Sequence, residues 1–482
     1  MSAVDKIKSL EELSSPLEPD KIERDAFIKA VLNYSDDFLE NIDNLPAYVN
    51  SDLKGLALYD SPIEEDPLNI NTVLDILKSN VDTPGINPAS GGHLGYIPGG
   101  GIFHSALGDY LADISNRYAG VFFASPGAVR MENLLLNWIS DLFGYPKTSG
   151  GSLTSGGSIA NLIAIVTARD AFNLKGKDFE KTVIYLSEHA HHSVQKAIRI
   201  AGLNDCIIRY VPLDPNFRMN SSLLESAVIE DKNKGLSPWL IIASAGTTDV
   251  GAIDPLNEIG LISEKHNLWF HIDAAYGGFF ILTESCKDSL KGLEKSDSII
   301  VDPHKGLFIP YGSGTVLIKN KAHLLASHYY QANYMQDALS SAEEYSPADL
   351  SPELSKHFRG LRLWLPLKLI GLRPFRAMLE EKILLARYFY TKVQEIPGIE
   401  VGPFPDLSVV IFRYVPSKGD ADTFNKLLVS NIQKDGRVFL SSTIINSKFT
   451  LRLAVLSFRT HLPIIDKTLV ILQSEINKLN NI

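Results

Sequence analysis

Leu268-Trp269-Phe270-His271-Ile272-Asp273-Ala274-Ala275-Tyr276-Gly277-Gly278 changes character at Asp273. Before the acid stands an apolar run of strand length. After it come small residues and a glycine pair. This reads as a buried strand that ends in a turn. The same pattern recurs on both sides: Val183–Ser187 and Trp239–Ser244 upstream, Ser298–Val301 downstream. Between these runs the apolar residues fall at helical spacing, over Asn161–Leu174, Ser193–Ala201 and Leu256–His266. Strand alternating with helix predicts an α/β fold with a large, doubly wound, mostly parallel sheet. Ligands of such sheets bind beyond the carboxyl ends of the strands, so the polar residues just past each run are the ones to read.

Three segments organise the chain. Residues 1–85 read as helical, with a stripe of Ile22, Ala26, Ala30, Val31, Tyr34, Phe38 and Ile42 and a second helix expected to start near Asp66-Pro67. A small piece with amphipathic faces has to bury them, and a partner subunit is the expected place. Residues 86–370 form the large domain. Residues 371–482 read as a small α+β domain, with strands at Val409–Val415 and Phe449–Val455 and a helix over Ala421–Asp435, capped by Asp420 and stopped by Gly436. The polar stretch Tyr329–Lys356 reads as a long functional loop.

Composition narrows the class of function. Hydrophobic residues at 45% and charged residues at 21% of 482 are the balance of a globular protein with a sizeable core. A net charge of −10 argues against nucleic acid or an anionic membrane as the main partner. The two cysteines, Cys206 and Cys286, build no disulfide framework, and a cytoplasmic location is expected. The charged N-terminus does not read as a secretory signal, and no apolar run has the length of a spanning helix.

Five short runs carry candidate chemistry. Asp302-Pro303-His304-Lys305 follows the strand Ser298–Val301, so Lys305 emerges at a carboxyl end. Partial desolvation would make its amine nucleophilic, although a solvated surface lysine would look the same. Asp273 supplies what a pyridoxal 5′-phosphate (PLP) ring needs: a carboxylate that keeps the pyridine nitrogen protonated, so that the ring withdraws electrons. Ala274 and Ala275 let a flat ring approach the backbone; a strand-end Asp capping a turn is the alternative. Thr154-Ser155-Gly156-Gly157-Ser158 opens a helix and offers free amides to a phosphate; a nucleotide P-loop would need lysine where Gly157 stands. Ser187–Ser193 holds His189, His191 and His192. An imidazole there can stack on a conjugated ring, while the ligand pattern of a metal motif is missing and no metal is expected. In Ala245-Gly246-Thr247-Thr248, the Thr247 hydroxyl can orient Asp273 or the cofactor, or simply belong to a turn.

Together with Ala190-His191, Ser193-Val194 and Phe358-Arg359-Gly360-Leu361-Arg362-Leu363-Trp364, these runs resemble the group II PLP-dependent amino-acid decarboxylases, which include the aromatic-L-amino-acid, histidine and glutamate enzymes. The resemblance spans nearly the whole chain. It implies the fold-type I, aspartate aminotransferase-like architecture and a homodimer with shared active sites. It also implies that Lys305 carries the cofactor as a Schiff base, that Asp273 holds the pyridine nitrogen, and that His191 stacks on the ring. Gly157, Ser158 and His304 would surround the phosphate, with Thr247 and Ala275 close to the ring. The family has a loop tyrosine that returns a proton to the substrate. Tyr345 is the first candidate here and Tyr334 the second. Tyr96 and Pro98 match a substrate-side segment, which reads Tyr96-Ile97-Pro98-Gly99 where the aromatic-amino-acid enzymes have Tyr-Phe-Pro-Thr.

The expected activity is therefore that of a carboxy-lyase converting an L-amino acid, with an aromatic one in view, to its amine and CO₂. Another fold-type I PLP reaction, such as carbon–carbon lysis or transamination, is the alternative within the fold. A catalytically inactive binding relative is the alternative outside enzymes, and the intact Lys305, Asp273 and His191 argue against it.

Overall fold

A computed structural model describes residues 2–329 and 344–481. Two helices, α1 (Ala3–Ser14) and α2 (Lys21–Asn41), open the chain. Asp20 caps α2 by accepting from the Glu23 N–H. A two-residue ladder joins β1 (Tyr48–Val49) to β2 (Gly85–Ile86). Between them lies α3 (Ile70–Leu77), which starts later than the Pro67 signal suggests because Asn69 provides the cap by accepting from the Thr72 N–H. Next come β3 (His93–Leu94), α4 (Phe103–Ser115) and α5 (Pro126–Leu142).

The large sheet follows. Its strands are β4 (Gly150–Thr154), β5 (Thr182–Leu186), β6 (Ile207–Tyr210), β7 (Ser237–Ser244), β8 (Trp269–Asp273), β9 (Ser298–Val301) and β10 (Gly314–Ile318), in the spatial order β4-β10-β9-β8-β7-β5-β6. All neighbours from β9 to β6 are parallel; β10 alone runs against both of its neighbours, so β4 points the same way as β9. The helices α6 (Gly157–Ala171), α7 (His192–Ile200), α8 (Ser221–Asn233), α9 (Leu256–His266), α10 (Pro303–Gly306) and α11 (Lys321–His328) connect and cover it.

Both faces of this sheet are buried, which is why its strands read as continuous apolar runs. The side chains nonetheless alternate. Phe270 and Ile272 join one core with Ile299, Val301 and Leu317. Trp269 joins the other with Ile300, Val316 and the α6 residues Ala160, Ile163 and Ala164. By the period of two, His271 and Asp273 point to the α6 side with Trp269. They are polar side chains inside a core, and each needs partners there.

After α12 (Arg359–Ile370) and α13 (Arg373–Val393) comes a smaller sheet of β11 (Ile399–Val401), β12 (Val409–Tyr414), β13 (Phe439–Ile445) and β14 (Lys448–Ala454), packed on α13, α14 (Ala421–Asp435) and α15 (Leu462–Asn480). Its order is β11-β12-β14-β13-β3. The last strand comes from far upstream: His93 and Leu94 pair in parallel with Phe439 and Leu440. This short pairing ties the start of the large domain to the C-terminal sheet.

Candidate active site

The carboxyl ends of β4, β5, β7, β8 and β9 surround one cavity of about 270 Å³. Gly157, Ser158, His191, Thr247, Asp273, Ala275, His304 and Lys305 all line it. Five separate stretches of sequence thus meet at one place, although no two of them are neighbours in the chain.

Lys305 emerges from the short helix α10, with its Nζ 3.0 Å from Asp302 Oδ2. Burial alone would lower its pKa, but the nearby carboxylates of Asp302 and Asp273 outweigh this and leave it raised. Asp302 is 2% exposed, and its Oδ1 has no hydrogen-bond partner. His304 bonds through Nδ1 to the Ser313 carbonyl, 2.5 Å away, and burial lowers its pKa.

Asp273 is 7% exposed at the end of β8. Its Oδ1 accepts from the Ala275 N–H (3.1 Å) and its Oδ2 from Asn161 Nδ2 (3.0 Å). His191 caps α7, its Nδ1 engaged by Ser193 Oγ at 2.7 Å, and burial lowers its pKa. The Thr247 hydroxyl accepts from the Ala252 N–H at 3.1 Å. At the start of α6, Gly156 provides no side-chain cap, so the first-turn amides stay free and the positive end of the helix faces the cavity.

This set fits PLP. An amine, an uncapped helix start for the phosphate and a buried carboxylate for the ring nitrogen border one cavity. Gly157 leaves room there that a side chain would crowd: a Cβ would meet Asp302 Oδ2 at 3.0 Å and Ala275 Cβ at 3.4 Å.

Three expected residues fall elsewhere. Tyr96 and Pro98 do not line the cavity. Tyr96, at φ +52°, stacks on Phe439 with 5.9 Å between ring centroids. The segment instead touches the site one residue on, where a Cβ on Gly99 would come within 2.2 Å of the His304 carbonyl oxygen. Tyr345 also stands apart from the cavity within one subunit. Its exposed ring lies 5.4 Å from Lys321 Nζ, beyond the far end of β10, at the sheet edge opposite Lys305. Its neighbours are fixed: Glu344 accepts from Arg130 and Asn133, and Ser346 Oγ from the Phe122 N–H. Within one subunit Tyr345 does not reach the cavity. Tyr334 lies outside the described residues.

Asn161, Ser193 and Asp302 also line the cavity and were not among the expected site residues. Among the described residues no group of His, Cys, Asp and Glu is arranged to hold a metal, and no helix is long and apolar enough to cross a membrane.

Comparison with known proteins points to the same cofactor. The family profile described as the pyridoxal-dependent decarboxylase conserved domain matches residues 56–415. An aromatic-L-amino-acid decarboxylase of Bacillus atrophaeus is 33% identical over 417 residues, 86% of each chain. Tryptophan decarboxylase 2 of Oryza sativa is 29% identical over 428 residues, again 86% of each. The crystal structure of Oryza sativa TDC with PLP and tryptamine superposes with a TM-score of 0.90 at 22% identity, covering 96% of this chain and 99% of that one. The architecture is fold type I, the cofactor is PLP and the reaction is the decarboxylation of an amino acid. The chain belongs to the pyridoxal-dependent decarboxylase family.

Proposed function

We propose that this decarboxylase converts an aromatic L-amino acid to its amine, as a cytoplasmic homodimer. The observation that carries the reading is the meeting of Lys305 and Asp273 in one cavity beside the free start of α6. The choice of an aromatic substrate is supported by the relatives, named for aromatic-L-amino-acid and tryptophan decarboxylation. It is also supported by the rings of His93, Tyr96 and Phe439, which cluster on the segment that leads to Gly99 and the backbone of Lys305.

In this reading each residue has a task. PLP, when bound, supplies an electron sink for the pair released as CO₂ departs. The amides of Gly157 and Ser158 hold its phosphate. Asp273, fixed by two N–H donors, keeps a proton on the facing ring nitrogen. The Lys305 amine would hold the cofactor covalently, and it stands in the cavity where the substrate amine would take its place. His191, which lines the cavity with Nδ1 engaged by Ser193, would stack on the ring and offer its second nitrogen to the substrate. A loop tyrosine returns the proton to Cα, with Tyr334 now the candidate.

Dimerisation is supported by apolar surface that one chain leaves uncovered. Neither α1 nor α2 has a buried residue, and Ile7, Leu10, Leu13 and Phe27 are exposed, as are Leu107, Leu111 and Ile114 of α4. The cytoplasmic reading rests on Cys206 and Cys286, both buried free thiols. Sedimentation at micromolar concentration should give twice the chain mass; a single-chain mass would overturn the dimer. The PLP-loaded protein should release CO₂ and amine from tryptophan, tyrosine, phenylalanine or DOPA, with all activity lost in Lys305→Ala. Release from glutamate alone, or aldehyde in place of amine, would refute the assignment.

A further inference from the structure

Asn161 stands between the two residues given the principal roles at the ring. It is 1% exposed, in the second turn of α6. Its Nδ2 donates to Asp273 Oδ2 (3.0 Å) and to Ser193 Oγ (3.1 Å), and its Oδ1 faces His271 Nε2 at 2.8 Å.

Counting donors and acceptors fixes every proton in this network. A carboxylate only accepts, so the atom of Asn161 that faces Asp273 has to be the NH₂ group. The amide oxygen therefore faces His271, whose Nε2 must carry hydrogen. Burial pushes the pKa of His271 down to about 4, so the ring is neutral and its Nδ1 is bare. That nitrogen accepts from Ser298 Oγ at 2.8 Å, while Ser298 Oγ accepts in turn from Trp269 Nε1 at 2.8 Å. On the other arm, Ser193 Oγ receives an Asn161 hydrogen and turns its own toward His191 Nδ1, 2.7 Å away. The Ser193 N–H also points at that nitrogen, at 3.3 Å. Nδ1 of His191 is thus an acceptor twice over, and the neutral ring carries its hydrogen on Nε2.

We propose that Asn161 is a positioning residue that couples Asp273 to His191: one amide hydrogen holds the acid, and the other, through Ser193, sets the His191 proton on Nε2. The acid at one end of the network decides which way Asn161 faces. Asn161 then decides which nitrogen of His191 can donate into the cavity. The inference rests on the roles proposed for Asp273 and His191 and goes beyond them, because Asn161 is taken to act only through its neighbours.

The test is Asn161→Asp, nearly the same in shape. It keeps an oxygen for His271, replaces both donors by acceptors and adds charge beside Asp273. Ser193 Oγ then donates to residue 161 and is free to accept from His191 Nδ1, against which only the longer contact of the Ser193 N–H (3.3 Å) still favours a bare nitrogen. Histidine side-chain ¹⁵N spectra of the apo protein should show His191 as the Nε2–H tautomer in the wild type and as Nδ1–H in the variant. The dissociation constant for PLP, read by absorbance titration, should rise at least tenfold. An unchanged tautomer together with unchanged PLP affinity overturns the inference. Should Asn161→Asp fail to fold, Asn161→Ala carries the test: the His271 resonances must move and the PLP constant must rise at least threefold, and no change in either refutes it. Asp273→Asn, titrated in parallel, separates the two levels. If it binds PLP like the wild type, the role of Asp273 itself fails; if it weakens binding while both Asn161 variants do not, only the coupling fails.

Discussion

Asp302→Asn should make the apo protein capture PLP faster at neutral pH. The carboxylate lies 3.0 Å from Lys305 Nζ, almost fully buried, with one oxygen unpartnered. At an effective dielectric of about 20, unit charges at that distance attract by roughly 5–6 kcal/mol. Burial of the ammonium opposes this, yet the Lys305 pKa stays raised, so the attraction wins. Only the free amine attacks the cofactor aldehyde, so Asp302 holds the nucleophile in its unreactive form. The same carboxylate sits 3.0–3.2 Å from the position of a Cβ on Gly157, where it repels the phosphate proposed to bind there. Asparagine keeps the shape and removes both effects. If a quarter of the attraction survives as a net effect, about 1.4 kcal/mol, the capture rate at pH 7 rises about tenfold. The sign with pH follows: a lysine with a lowered pKa is neutral at lower pH, so the rate-against-pH curve of the variant should shift to lower pH. Stopped-flow absorbance on mixing apo protein with PLP reads the rate, and borohydride trapping with peptide mapping confirms the bond at Lys305. An unshifted curve, or slower capture at every pH, would refute the electrostatic argument.

Two further outcomes are expected. Tyr345→Phe should leave turnover within twofold of wild type, since its ring rests near Lys321, whereas Tyr334→Phe should lower it by a factor of about 10² or more; the reverse result would restore Tyr345. Lys356→Met should destabilise the fold by about 3–5 kcal/mol in urea, because it strands Glu132, a fully buried partner 2.7 Å from Lys356 Nζ that also accepts from the Leu153 N–H of β4. A loss below about 1 kcal/mol would mean that this pair does not hold β4.

Much of the site was legible because a parallel sheet writes its ligand contacts just after each buried run. Asp273 and Lys305 stand out as polar residues at the ends of apolar strands, and the structure brings both to one cavity. Asn161 was less visible because one polar residue in an apolar helix looks like a solvated position. The signal was paired: His271 is a polar residue in mid-strand, Asn161 one in mid-helix, and each satisfies the other. The place of Tyr345 could not be read locally, because it depends on where Glu344 and Ser346 anchor the chain, on helix α5 and before it, over 200 residues upstream. Nor did any local pattern announce that β3 pairs with β13, or that β10 runs backwards, since an apolar run carries no record of its direction.

The reversed strand explains the shape of the site. Were β10 parallel to its neighbours, a loop would leave its carboxyl end between β4 and β9, where the cavity now opens. Running backwards, it brings only its entry to this edge, at Ser313-Gly314. The turn after β4 can then lean across it. A Cβ on Gly314 would lie 2.6 Å from Gly156 Cα, and one on Gly157 would press on Asp302 and Ala275. Glycine at position 314 is therefore a packing requirement set by chain direction, and Gly157 has little room to spare beside Asp302. The free amides of α6 reach the end of β9, where Lys305 stands, because the strand between them enters at this edge rather than leaving it.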